Sequence, residues 1–314
     1  MVKKPVNQMT PALQFPVFIL VSVLIIIAGN VIGLGVIAAL YGLDTILDIT
    51  QLKLNGPNIL NALYILQIIS TTIPIFIAPV FFAYVIVKEP AGYLKPSFRF
   101  PWMLLVVAFF IMLIASPLIE LSSNINQKMV LPEFLNGLED WMKKSEETAR
   151  LITNKLLKMD TVGDLIGNII LVGLFTAIVE ELMFRGVLQT ILFRWSKNAH
   201  TAVWVTAALF SAFHMEFYGF LPRLILGALF GYFVVWSGSI WPAVWGHFLN
   251  NGTAVVVTYL FQHKKIAMNP DDTHVFNYGG YLFSLIIIII LLLVYKKAGE
   301  GKKQHPDFNG EELG

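Results

Sequence analysis

Six side chains able to do acid–base or ligand chemistry stand inside apolar stretches of this 314-residue sequence: Glu180, Glu181, Arg185, His214, His247 and Asn251. An ionisable group within a membrane span costs roughly 3 kcal/mol or more, so a functional site is its default reading. Two carboxylates, two imidazoles and an amide are also the parts needed to activate a water and hold an oxyanion.

Spacing assigns the first roles. Glu181 and Arg185 are four residues apart, so a helix puts them on one face as an ion pair. Glu180 is turned from Glu181 by about 100° and is left available as a general base. Read structurally, the same cluster only caps a helix at the interface. His214 follows Phe210 by four residues; Phe210 and Phe213 read as packing that holds the ring, and a lone histidine near a helix end serves structure as readily as chemistry. His247 and Asn251 are again four apart and share a face. The Asn251 amide can donate to an oxyanion, whereas Asn250 is rotated away. Asn251-Gly252-Thr253 fits the glycosylation pattern but lies inside an apolar run.

Two chemistries fit these residues. In one, Glu180, His214 and His247 hold a divalent metal, zinc first, that acidifies a water. In the other, Glu180 with His214 activates the water, and His247 with Asn251 holds the oxyanion, without a metal. The sequence leaves both open. The His-Glu-x-x-His pattern of zinc proteases is absent, and cysteine is absent altogether.

The elements that position these groups are membrane helices. The chain is 56% hydrophobic and 13% charged, against about 25% charged in soluble domains. Its mean hydropathy is +0.70. A net charge of +2, with no basic stretch interleaved with aromatics, argues against a nucleic-acid partner. Apolar runs predict eight spans near 15–40, 61–87, 102–121, 162–183, 200–217, 221–237, 240–261 and 279–295. Pro74 and Pro79 should disturb the second, and Leu285 to Val294 reads as lipid-facing. Lys3, Lys4, Lys88, Lys95, Arg99, Arg194, Lys197, Lys296, Lys297, Lys302 and Lys303 then share one side, which the distribution of basic residues makes cytoplasmic, with both termini. Between 122 and 160 the apolar residues Phe134, Leu135, Leu138, Trp141, Met142, Ala149, Ile152, Leu156 and Leu157 recur at helical spacing among balanced charges. This predicts an interfacial amphipathic insertion. A polar tail follows from 298 to 314.

Glu-Glu-x-x-x-Arg, Phe-x-x-x-His and His-x-x-x-Asn, in this order on successive spans, resemble the CPBP family of CAAX prenyl endopeptidases and bacteriocin-processing (Abi) proteins. Trp241-Pro242 and the Phe-Arg-Gly-x-Leu-Gln stretch at 184–189 resemble its bacterial members. The resemblance covers about 160–255. It implies that Glu180 activates the water, that His214 assists or binds metal, and that His247 and Asn251 serve metal or oxyanion. The expected protein is therefore one all-α membrane domain, 1–314, with a motif-bearing core at 160–255. It would be an intramembrane endopeptidase of a bacterial inner membrane acting on a hydrophobic or membrane-associated polypeptide, through a cavity opening to the cytoplasmic side. A non-catalytic immunity or scaffold protein and an ion-coupled transporter are the competing classes.

Overall fold

The computed structural model describes residues 9–267, 269 and 275–300. Every regular element among them is helical. We number the longer ones α1 (Pro11–Tyr41), α2 (Leu43–Thr50), α3 (Ile59–Ile86), α4 (Pro90–Leu94), α5 (Met103–Gln127), α6 (Asn136–Leu156), α7 (Val162–Ser196), α8 (Ala199–Phe213), α9 (Phe220–Ser237), α10 (Trp241–Gln262) and α11 (Tyr278–Glu300).

Helix ends follow local chemistry. A reciprocal capping box between Thr161 and Asp164 starts α7, and the Asn198 side chain caps α8 by accepting from Thr201 N. Pro242 occupies the first turn of α10, where its missing N–H costs nothing. In α3 the turn that carries Pro74 and Pro79 is flanked by π-helical stretches at 66–72 and 82–86, so the proline disturbance is absorbed as local widening.

Among the described residues, six helices are long and apolar enough to cross a bilayer: α1, α3, α5, α7, the 217–237 segment that includes α9, and α11. All eight expected spans are helices, but two fall outside that set. α8 is apolar and has 15 residues. α10 has 22 residues, yet it carries His247, Asn250 and Asn251. Boundaries also move. α5 continues to Gln127, so the surface segment begins after it and not at 122. α7 runs to Ser196 instead of 183. α11 covers 298–300, while 301–314, Lys3 and Lys4 lie outside the described residues.

α7 runs through the centre, against α3, α8 and α10, and α5 packs on α9, α10 and α11. On α11, Leu282, Leu285, Ile286, Ile289, Ile290 and Leu293 stay exposed while Ser284, Ile288 and Tyr295 are buried, which is the arrangement of a lipid-facing helix. α6 is one amphipathic helix. Its end packs through Leu156 on Ile59 and Leu63, and Trp141 lies 6.1 Å from Phe217 in the turn before α9. Phe134, Leu138 and Trp141 remain exposed, as in a helix lying in a membrane surface.

Candidate active site

Glu180 and Glu181 lie in the middle of α7, and the helix widens into π turns at Leu182–Leu188 directly after them. π turns inside α-helices are rare and often mark functional sites. The adjacent carboxylates meet different surroundings. Glu181 is fully buried, and its Oε1 accepts from Arg185 Nη1 at 2.8 Å while His247 Nδ1 lies at 2.8 Å from the same oxygen. With Nδ1 carrying the hydrogen, the imidazole donates to Glu181 and presents Nε2 to the site. That Nε2 is 3.7 Å from Glu180 Oε2. Glu180 Oε2 is buried without a hydrogen-bond partner among the described residues.

Arg185 is at 0% exposure. Its Nη2 donates to the Gly227 carbonyl at 3.1 Å, and its guanidinium lies 4.3 Å from the centre of the Phe210 ring and 5.5 Å from that of Phe230. His247 stacks on Phe230 at 5.1 Å and meets Phe210 edge-on at 5.9 Å. Two aromatic rings thus hold both the guanidinium and the imidazole. One turn beyond Arg185, Gln189 Nε2 donates to the Gly231 carbonyl at 3.2 Å. The approach needs glycine. A Cβ on Gly227 would stand 3.1 Å from the Ala207 Cβ, and one on Gly231 would stand 2.9 Å from both Gln189 Oε1 and Val203 Cγ1. Small residues four apart let membrane helices come this close.

His214 caps the end of α8, with Nδ1 bonded to the Phe210 carbonyl at 2.9 Å and its ring 4.9 Å from that of Phe210. The turn that follows is clamped from α5: Asn126 Nδ2 donates to Phe217 O at 2.8 Å, and Leu221 N donates to Asn126 Oδ1 at 2.6 Å. From α6, Glu146 Oε2 accepts from Tyr218 N at 3.1 Å. Asn251 donates to Val172 O at 3.4 Å and accepts from Asn250 Nδ2 at 3.1 Å.

The structure therefore gathers Glu180, Glu181, Arg185 and His247. His214 joins through Phe210, whose ring both histidines touch. Asn251 makes no hydrogen bond to any of these five. The predicted Glu181–Arg185 pair is present, and Glu180, which Arg185 does not pair with, faces His247 instead. The sequence reading did not reveal that Glu181 also holds His247, nor the parts taken by Phe230, Gln189 and Asn126. For Gln189 a signal existed: it stands one turn after Arg185 on the same face. For Phe230 and Asn126, on helices without a motif, there was none. Among the described residues no three His, Cys, Asp or Glu side chains are grouped to hold a metal ion. The expected set Glu180, His214 and His247 thus supplies one facing pair, with the third member apart.

Residues 163–253 match the family described as Type II CAAX prenyl endopeptidase Rce1-like, and this span contains all six site residues. An uncharacterized protein of Bacillus subtilis (strain 168), YpbD, is 30% identical over 114 residues, which is 35% of this chain and 54% of that protein. The chain thus spans about half the length of this curated relative. No solved structure matches.

Proposed function

We propose that this is an intramembrane endopeptidase, seated in a bacterial inner membrane with both termini cytoplasmic, in which Glu180 activates water and His247 holds the oxyanion. The observation that carries the reading is a buried carboxylate oxygen with no hydrogen bond, 3.7 Å from the Nε2 of an imidazole whose other nitrogen is held by Glu181. Glu181 and Arg185 neutralise each other. Burying the remaining Glu180 is costly unless a proton is shared with His247. In the first step Glu180 takes a proton from water as the water oxygen attacks the carbonyl carbon of the scissile bond. With the shared proton on Nε2, so that the imidazole is protonated on both nitrogens, the oxyanion accepts from His247 Nε2–H, with the Asn251 amide as second donor once it leaves its long bond to Val172. Glu180 then returns the proton to the leaving nitrogen, the C–N bond breaks, and an amine departs with a carboxylic acid, which gives its remaining proton to solvent. His214 contacts Phe210, the ring that also meets His247.

A hydrophobic or membrane-anchored polypeptide suits a site placed halfway along membrane helices. A metal held by Glu180 and His247 would need His214 as third ligand and would supply Lewis-acid chemistry to the same water.

The experiment is cleavage of a set of hydrophobic peptides, prenylated and not, by purified protein before and after exhaustive chelation. Cleavage that disappears with Glu180→Gln supports the proposal. Peptide binding without turnover would favour the scaffold class. Activity that vanishes on chelation and returns with zinc would move the water onto a metal.

A further inference from the structure

His247 is held at one atom by Glu181 and across its face by Phe230. The 2.8 Å bond from Nδ1 to Glu181 Oε1 fixes that nitrogen but leaves the ring free to swing about the bond. The Phe230 ring, stacked 16° from parallel at 5.1 Å, fixes the plane, and with it the direction of Nε2 toward Glu180 Oε2. α10 receives Phe230 closely: a Cβ on Gly246 would stand 3.3 Å from Phe230 Cε1. The imidazole is therefore only as well placed as Phe230.

Phe230 belongs to α9, and two polar rungs tie α9 to α7. Arg185 Nη2 donates to the Gly227 carbonyl at 3.1 Å, and Gln189 Nε2 donates to the Gly231 carbonyl at 3.2 Å. The rungs are four residues apart on each helix, about one turn, so both form in a single register. Phe230 lies between them in sequence. A slip of α9 by one residue would shift it about 1.5 Å along its axis and turn it by about 100°, which would take the Phe230 ring off the imidazole. Glycine leaves both carbonyls open to the side chains of α7. A Cβ at Gly227 would stand 3.2 Å from Arg185 Nη2, and one at Gly231 would stand 2.9 Å from Gln189 Oε1. Arg185 has a second task, since it neutralises Glu181. Gln189 is uncharged and fully buried, and its Oε1 has no partner among the described residues, which leaves the rung as its polar contact.

We infer that Gln189 is a positioning residue of the site: its rung to the Gly231 carbonyl sets the register of α9 on α7, and through it the plane in which Phe230 holds the His247 imidazole. The consequence for turnover rests on the peptidase reading; the geometric half does not.

Gln189→Met keeps a side chain of similar length and removes the donor without stranding a charge. Two readouts are taken on the full chain in detergent. The first is NMR of ring-labelled histidine, of which the chain has 6, with the His247 signal assigned by its loss in His247→Gln. A stacked ring face shields the imidazole protons, so Phe230→Leu should move the His247 ring protons downfield. Gln189→Met should move them the same way by a smaller amount, while the His263 signal stays in place. Unchanged His247 signals in Gln189→Met overturn the inference, and movement of both signals alike would mark a loosened fold and overturn the specific role. The second readout is peptide cleavage. Gln189→Met should lower kcat about threefold to thirtyfold with KM little changed, and Phe230→Leu roughly tenfold to hundredfold. The double variant should lose no more than Phe230→Leu alone, because the rung acts through the ring. Losses that multiply would make Gln189 an independent structural contact and contradict the inference. His247 shifts as expected in a protein that cleaves none of the peptides sink the peptidase reading and leave the positioning role standing.

Discussion

The two halves of α7 differ in what surrounds their polar groups. From Glu181 to Thr190 every polar side chain is buried and makes at least one hydrogen bond, although Glu181 Oε2, Arg185 Nε and Gln189 Oε1 have no partner among the described residues: Glu181 is held by Arg185 and His247, Arg185 by the Gly227 carbonyl, Gln189 by the Gly231 carbonyl, Thr190 by Lys95. One residue earlier, Glu180 has an oxygen with no partner, and beyond it lie the half-buried His214 and Asn251. The same residue type thus serves two ends. A carboxylate oxygen shared by an arginine and a histidine fixes geometry, whereas a carboxylate with no direct hydrogen bond is the one left for chemistry.

Substitutions can break this contrast. Glu180→Gln should lower turnover by roughly 10²–10⁴-fold, the usual worth of a general base, with thermal unfolding unchanged. Peptide cleavage and a melting curve on one preparation check both halves. Arg185→Ala should act through the fold, because it strands Glu181 in the interior; the loss is about 3–5 kcal/mol, read from denaturant unfolding in detergent. A variant that is stable but inactive would move Arg185 into the chemistry.

Asn126→Ala tests whether the turn after His214 must be held. It removes both clamps, and roughly a tenfold to hundredfold fall in kcat is expected from displaced groups, with KM little changed. Amide exchange should rise in the 214–221 turn and not in α7. The smallest effect concerns α6. Burial is the main cause that pushes the Glu146 carboxyl above the ordinary carboxylate range, with Glu216 adding to it and the Tyr218 N–H and Arg223 opposing it. A folded-state value above the unfolded one favours docking when the acid is protonated. That contribution is complete below the unfolded value and fades as pH rises through the raised one. Exchange protection of α6 should fall over that window, and Glu146→Gln should remove the dependence.

Much of the site was readable because helical spacing is rigid. Glu181 and Arg185, four apart, could meet in any helix, and Glu180 could not share their face. What no spacing encodes is contact between helices. That His247 Nδ1 lands on Glu181, or that Phe230 stacks on the imidazole, depends on how α9 and α10 dock on α7. The fold was legible as apolar runs. It failed where function intrudes: α10 carries the polar residues of the site, and α8 is too short to span. Reading α7 as ending at 183 also hid the buried stretch from Arg185 to Leu192, which continues the helix beyond the site.

The central claim is that Glu180 activates water directly for attack on a peptide bond. Its most direct measurement is cleavage in ¹⁸O-water by metal-free protein in liposomes, with mass analysis of the new C-terminus. The account predicts one ¹⁸O in the new carboxylate from the wild-type protein and no product from Glu180→Gln. Cleavage by Glu180→Gln at the wild-type rate, or a wild-type product without the label, would contradict it.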